Sequence, residues 1–238
     1  MPRKITPFWH RMGAIYRFPL RPPAIWFLLG IALLTTVVPL ALGQGFLAFV
    51  VWCVASLALY KYGYDALFCA ADGDLEPPPV GAVLGASGFE LPFKQLGVMI
   101  VLAIGVAAAG SLAGPLEGLV FFAGVLLFLL AIPAVTIRLA VERSFASAVN
   151  PACLWETASG IGWAYLGMCG MLFALQLVAG GVAYAIQVAV PPERAGVVTA
   201  TLLAFFNAYF FLLAFHLMGY VVYQYHAALG YPTSEPDE

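Results

Sequence analysis

The sequence contains few charged residues. Asp, Glu, Lys and Arg make up 9% of the 238 residues, whereas hydrophobic residues make up 63%. A soluble domain has about 25% charged residues, and it needs them to cover its surface. A chain this poor in charge cannot cover a globular surface in water. This excludes a soluble enzyme, a nucleic-acid-binding protein and a disordered regulator as first interpretations. The formal net charge of -2 is too small to indicate a partner.

Motifs for catalysis and metal binding are also scarce. Cys53, Cys69, Cys153 and Cys169 show no C-x-x-C spacing, and the histidines are scattered along the chain. The run Asp72-Gly73-Asp74-Leu75-Glu76 alternates carboxylates but lacks the other positions of a calcium loop. We interpret it as a solvated turn before a polyproline segment. No nucleophile and base occur at a recognisable spacing. We therefore expect no enzymatic activity, no cofactor and no metal site.

The sequence consists mostly of long apolar segments. A helix crosses the bilayer core with about 20 apolar residues. Six segments fit this requirement, and Lys61 extends the second one if its side chain snorkels to the membrane surface. The sequence therefore predicts an all-α polytopic membrane protein with about six transmembrane helices. These spans cover residues 24–42, 46–60, 95–116, 118–137, 161–188 and 196–220, and tight turns at 43–45, 114–115 and 191–194 separate the members of each pair.

The distribution of Lys and Arg predicts the orientation of the spans. With six spans, nine of the ten basic residues fall on the side that holds both termini, and Arg194 alone falls on the other. Positive charge marks the cytoplasmic side of membrane proteins. We therefore expect a multi-pass protein of the bacterial inner membrane with both termini in the cytoplasm. The nine residues are Arg3, Lys4, Arg11, Arg17, Arg21, Lys61, Lys94, Arg138 and Arg143.

The chain divides into three helical hairpins. We assign residues 1–23 to a basic interfacial segment, 24–74 to a first hairpin with an amphipathic tail, and 75–94 to a Pro-rich cytoplasmic loop. Residues 95–149 form the second hairpin, 150–230 the third, and 231–238 an acidic tail. The first and third tails share a Gly-Tyr step, at Gly63-Tyr64 and Gly219-Tyr220. This similarity indicates an internal repeat or the common composition of interfacial helix ends.

Three stretches resemble a known family. They are Tyr62-Gly63-Tyr64 to Ala71-Asp72-Gly73-Asp74 with Glu76-Pro77-Pro78; Ala148-Val149-Asn150-Pro151 with Trp155; and Gly219-Tyr220 through Tyr223-Gln224-Tyr225-His226 to Leu229-Gly230. They resemble bacterial and archaeal membrane proteins grouped as domain of unknown function 4013. The resemblance covers most of the chain and implies a polytopic inner-membrane protein without an assigned activity. It supplies no catalytic residue. The hydropathy is also similar to that of Yip-type proteins, by analogy alone.

Charged residues gather at the predicted cytoplasmic edge. Lys61 and Asp65 are four residues apart, as are Arg138 and Glu142, so each pair are neighbours on a helix. His216 lies near the same end of the last span. We predict that this cluster contacts a partner or a lipid head group; the alternative is a set of ordinary boundary ion pairs.

No charged side chain is predicted near the centre of a span. Gln176 and Asn207 are the most central strongly polar residues of the last two spans. They serve either as hydrogen-bonding contacts between helices or as substrate contacts. Our first functional hypothesis is a non-enzymatic accessory or scaffold subunit. It has the lipid bilayer and a membrane protein or a second copy as partners, and no nucleic acid. The alternative is a carrier of a small neutral or lipidic substrate that uses a groove near Gln176 and Asn207.

Overall fold

The computed structural model describes residues 5–43, 45–81, 88–190 and 196–232. Within these ranges the regular structure is helical and no strand occurs. Six of the helices are long and apolar enough to cross a membrane, which confirms the predicted all-α polytopic fold. The α-helices are α1 (Met12–Arg17), α2 (Ala24–Leu42), α3 (Phe46–Ala71), α4 (Glu90–Leu112), α5 (Glu117–Glu142), α6 (Phe145–Val149), α7 (Pro151–Ile161), α8 (Trp163–Ala189), α9 (Val197–Gln224) and α10 (His226–Leu229).

Long helices that follow one another in the chain contact each other as α2–α3, α4–α5 and α8–α9, and α9 also packs extensively on α3 and α2. The first turn contains Gly43 at φ 77°, a backbone conformation that favours glycine. The predicted break at Gly114-Pro115 is confirmed, because a 3₁₀ turn over Gly114–Leu116 separates α4 from α5. The predicted turn at 191–194 lies outside the described residues.

Burial is uneven along the helices. Each long helix has one half on the side of the bundle that holds the described ends of the chain and one half on the side of the three turns. We call the first side the terminal half of the bundle and the second side the turn half. All the buried residues of α5 lie between Pro133 and Ala140, in the terminal half. Most buried residues of α9 lie between Phe210 and Val222, and most of those of α3 between Lys61 and Ala71. The core of the molecule therefore lies at one end of the bundle.

The residues after Tyr60 differ from the amphipathic tail that we predicted. Helix α3 continues without interruption to Ala71, and Tyr62, Gly63 and Tyr64 are all buried. The reason is the close crossing of α3 and α9. A Cβ atom on Gly219 would lie 2.8 Å from the Cα of Leu67 and even closer to the Leu67 carbonyl oxygen. The repeated Gly-Tyr step therefore has a packing role in both helices.

The N-terminal segment packs against α9. Phe8, Ile15 and Phe18 are buried. The Tyr220 hydroxyl donates a 2.8 Å hydrogen bond to the carbonyl of Thr6, and the Tyr209 hydroxyl donates one of the same length to the carbonyl of Tyr16. The sequence placed this segment at the membrane surface. The structure adds that its apolar side chains help to form the core.

A short helix leads into the third hairpin. The Asn150 side chain accepts a 3.0 Å hydrogen bond from the amide of Ala152, and Pro151 occupies the first turn of α7, so this helix begins with an Asn cap followed by a proline. Gly162 at φ 69° then separates α7 from α8. The predicted span from 161 to 188 corresponds to α8, which begins two residues later because of this glycine.

Candidate functional site

The charged residues predicted at the cytoplasmic edge form two separate ion-pair groups. The first lies on α3, where Lys61 Nζ is 3.8 Å from Asp65 Oδ2. Only 4% of the Lys61 side chain is exposed, and its ammonium lies 5.5 Å from the centre of the Phe89 ring. The prediction that Lys61 snorkels to the surface is therefore wrong. The Asp65 side chain keeps 27% of its surface exposed.

The second group centres on Arg138 of α5. Its Nη2 lies 2.8 Å from Glu142 Oε1 and 3.2 Å from Glu156 Oε2, so the guanidinium joins α5 to α7. Glu156 did not stand out in the sequence, because it lies 18 residues from Arg138 and its position depends on the turns between the helices. Glu156 is 71% exposed and therefore offers the most accessible carboxylate of this group.

His216 is enclosed in the core. It is 0% exposed, and its ring stacks on Phe18 with 3.8 Å between the ring centres. Neither ring nitrogen has a hydrogen-bond partner among the described residues. His216 is therefore not available to a partner, whereas the carboxylates of Glu142 and Glu156, and in part that of Asp65, remain accessible. The role of the cluster in binding a partner or lipid stays a prediction.

Tyrosine hydroxyls hold the terminal half together. Tyr64 donates a 2.7 Å hydrogen bond to Gln95 Oε1, which links α3 to α4, and both side chains are buried. Tyr62 donates to the carbonyl of Pro78 at 3.0 Å. Burial raises the pKa of the Tyr231 phenol to about 12, and the nearby Asp72 carboxylate adds to the effect. The composition of the hairpin tails predicts an interfacial position for these tyrosines, whereas the structure shows that several of them are internal cross-links.

Tyr165 joins α8 to α5 beside Pro133. Its hydroxyl accepts a 3.2 Å hydrogen bond from the amide of Ala134 and donates one to the carbonyl of Leu130. A regular helix would pair these two backbone groups with each other. The hydroxyl therefore occupies a position within the hydrogen-bond ladder of α5, next to the proline that already disturbs it. We did not identify Tyr165 from the sequence, because only the tertiary structure brings it to Pro133.

Gln176 and Asn207 line one cavity between α8 and α9. Its volume is about 350 Å³, and Gln187 contributes a third carboxamide that the sequence analysis missed. The signal for Gln187 was its spacing: eleven residues from Gln176 is about three helical turns, so both lie on one face of α8. Gly180 and Ala183 lie between them on the same face and leave the cavity open. The remaining lining residues are Ala179, Leu203 and Phe206.

The three carboxamides make no hydrogen bond to any residue that the structure describes. All three are exposed on the surface of the isolated chain. Gln176 and Asn207 lie near the middle of their apolar helices, where a bilayer offers neither donors nor acceptors, whereas Gln187 lies in the last turn of α8. An amide without a partner in hydrocarbon costs several kcal/mol, of the order of 4–8 in an alkane. The arrangement therefore favours contacts of the two central carboxamides with hydrogen-bonding groups from outside the chain.

A second cavity differs in chemistry. It has a volume of about 700 Å³ and lies between α5, α7 and α8, with Trp155 and Trp163 at its edge. Its lining is almost entirely apolar, and two of its hydroxyls are occupied: the Ser159 hydroxyl donates to the carbonyl of Glu156, and Tyr165 bridges α5. This cavity therefore provides space mainly for apolar groups.

Comparison of the chain with protein family models, with curated proteins and with solved structures gave no match. Among the described residues no group of three or more His, Cys, Asp or Glu side chains lies close enough together to hold a metal ion. The candidate site therefore consists of three regions known from geometry alone: the ion pairs around Arg138, the exposed helix α8, and the cavity that the three carboxamides line.

Proposed function

We propose that the protein is a non-enzymatic accessory or scaffold subunit that packs sideways against another membrane protein. The observation that carries this proposal is the exposure of α8. This 27-residue helix has only four buried residues, Tyr165, Met168, Cys169 and Leu175. It packs against its neighbours α7 and α9 and touches α5 through Tyr165. A helix this open has most of its surface available for a partner.

The outward face of α8 has the composition of a helix-packing surface. Gly170 and Ala174 are four residues apart, as are Gly181 and Ala185, and all four lie on one exposed face. Small residues at this spacing let the backbones of two transmembrane helices approach closely. A Cβ atom on Gly170 or Gly181 would meet no atom of the chain within 4 Å. These glycines therefore have no packing role within the chain itself.

The test is co-purification from native membranes in a mild detergent or in nanodiscs, with mass spectrometry of the bound proteins. Gly181→Leu adds bulk to the outward face of α8 without a clash inside the chain. We expect it to reduce recovery of a specific partner by at least about tenfold, which corresponds to about 1.4 kcal/mol. Gly30→Leu is the matched control, because Gly30 on α2 is equally exposed and equally free of neighbours.

Recovery of the wild-type chain as a monodisperse, partner-free protein would count heavily against this proposal. Equal recovery of the partner with Gly181→Leu would remove α8 as the contact surface. Asp65→Ala tests the charged edge separately. Arg138→Ala is a weaker test of partner binding, because it also breaks the internal ion pairs with Glu142 and Glu156.

A second candidate function is transport of a small neutral or lipidic substrate. The observation that favours it is the cavity, which brings Gln176 and Asn207 together as a carrier of this kind requires. If it is correct, Asn207→Leu lowers transport in reconstituted vesicles. Unchanged transport in that variant would remove the basis of this second function.

The expected location belongs to the same proposal. The charge distribution supports a bacterial inner-membrane protein with both termini in the cytoplasm, and the resemblance to domain-of-unknown-function 4013 proteins agrees with this location. Labelling of a tag at each end, in intact cells and in broken cells, tests the orientation. Protection of only one end would overturn it.

A further inference from the structure

The face of α8 that lines the cavity changes its environment along the helix. Tyr165, Gln176 and Gln187 follow one another at intervals of eleven residues and so share this face. Near Tyr165 the face is packed against the rest of the protein. From Gln176 onward it borders open space, because Gly180 and Ala183 carry too little side chain to reach α9. The cavity is therefore a continuation of the helix packing surface that the chain itself leaves unfilled.

The chemistry of the lining is polar but uncharged. Each carboxamide of Gln176, Gln187 and Asn207 offers two donors and one acceptor oxygen, and no described residue hydrogen-bonds to any of them. Among the residues that the structure describes, no ionisable side chain lines the cavity, and Leu203 and Phe206 provide apolar surface beside the amides. An ionised ligand would find no opposite charge here, which is costly inside a membrane. An uncharged molecule with hydroxyl or carbonyl oxygens would pair with the amides.

We propose that this cavity binds an uncharged ligand that carries hydroxyl or ester oxygens next to an apolar or compact body. Its volume of about 350 Å³ is that of a small-molecule site, which falls in the range of about 300–1,000 Å³. The cavity opens toward the lipid, so an uncharged glycerolipid can enter from the bilayer. A free polyol from the aqueous side has the same oxygen chemistry. The inference supplies the ligand class for the second candidate function, but it concerns binding and does not depend on transport.

The experiment uses the full chain in nanodiscs of dioleoyl-phosphatidylcholine and three probes. Dioleoylglycerol tests the lipid source, and its binding is followed by native mass spectrometry. Radiolabelled glycerol tests the soluble source in a scintillation proximity assay. Dioleoyl-phosphatidate differs from dioleoylglycerol by its charged phosphate, so it tests whether the site rejects charge. We expect saturable binding of dioleoylglycerol or of glycerol, and at least tenfold weaker binding of the phosphatidate.

Two adjacent glycines provide a matched pair of variants. Gly180→Leu fills the cavity, whereas Gly181→Leu adds the same side chain about 100° further around α8, outside the cavity. We expect Gly180→Leu to weaken binding of the probe at least tenfold and Gly181→Leu to leave it unchanged. Gln176→Leu keeps the helix and removes one amide, so it weakens binding by a smaller factor, about fivefold.

Three results would overturn the inference. They are the absence of saturable binding of both uncharged probes to the wild-type chain, equal binding to Gly180→Leu, and phosphatidate binding as tight as that of dioleoylglycerol. The two glycine variants also separate this inference from the proposed scaffold function. Loss of the partner in Gly181→Leu with intact ligand binding supports both, and loss of ligand binding in Gly180→Leu with intact partner binding shows that the two sites are independent.

Discussion

The terminal half and the turn half of the bundle are made from equally apolar helices, yet they pack differently. In the terminal half, α3 and α9 cross at Gly63 and Gly219, and buried hydroxyls join separate helices. In the turn half, Gly124 and Val106 bring α5 and α4 of one hairpin close together, and a single pair of hydroxyls, Thr36 and Thr201, joins two hairpins among the described residues. Apolar composition therefore places helices in a membrane, whereas small residues and polar cross-links decide where they pack together.

This difference also separates structural regions from candidate binding regions. The terminal half pairs several of its polar groups internally: Tyr64 has Gln95, and Arg138 has Glu142 and Glu156. The buried His216 ring has no such partner in the described part of the chain. The cavity in the turn half has three exposed carboxamides without a hydrogen-bond partner among the described residues. Exposed polar groups without an internal partner point to contacts outside the chain, so we place the functional surface in the less packed half.

The largest effect is expected at the crossing of α3 and α9. Gly219→Ala forces a Cβ atom against the backbone of Leu67, which cannot move aside as a flexible side chain can. We expect a loss of at least about 3 kcal/mol in the free energy of unfolding, measured by denaturant titration in detergent. Gly105→Ala is the control in α4, because Gly105 has open space around it. A loss in the control as large as in Gly219→Ala would refute the crossing as the cause.

A middle-sized effect is expected from Tyr64→Phe. The variant keeps the ring but leaves the buried Gln95 carboxamide without its 2.7 Å hydrogen bond from the hydroxyl. A buried acceptor that loses its partner costs about 1–3 kcal/mol. Tyr184→Phe on α8 is the control, since that side chain is 71% exposed. The same titration should show little change for it. Equal stability of both variants would mean that the cross-link contributes nothing.

The smallest effect is expected in the turn half. Thr36 of α2 and Thr201 of α9 approach with 2.8 Å between their hydroxyl oxygens, a polar contact between two hairpins. Thr36→Val preserves the shape and removes this contact, at a cost of about 0.6 kcal/mol. Thr35→Val is the control, because the Thr35 hydroxyl bonds only carbonyls of its own helix. A cost above that of Tyr64→Phe would contradict the ranking of the two halves.

Hydrogen exchange tests directly whether the two halves of the bundle differ in stability. If hydrogen exchange of the chain in nanodiscs is slowest for the amides of residues 61–71 and 210–222, the terminal half is the more stable region. We expect the amides of α8 beyond Gln176 to exchange faster, because that part of the helix has few packed neighbours. Equal protection along α8 and α9 would remove the distinction between the two halves.

Some features of the structure were predicted from the sequence, and others were not. The spans and the break at Gly114-Pro115 were predicted, because they depend on local hydropathy and on backbone chemistry. The residue pairs Lys61–Asp65 and Arg138–Glu142 were predicted for the same reason, since four residues separate helical neighbours. The link from Arg138 to Glu156 and the insertion of Tyr165 at Pro133 were not, because they join different helices.

The sequence by itself determined that this chain is a bundle of apolar helices, because the cost of placing charge in hydrocarbon follows from residue type alone. Only the tertiary structure decided which polar groups are used internally and which are left over. A tyrosine or a glutamine looks the same in the sequence in either case. Its partner comes from a distant part of the chain, and that pairing depends on how closely the helices approach.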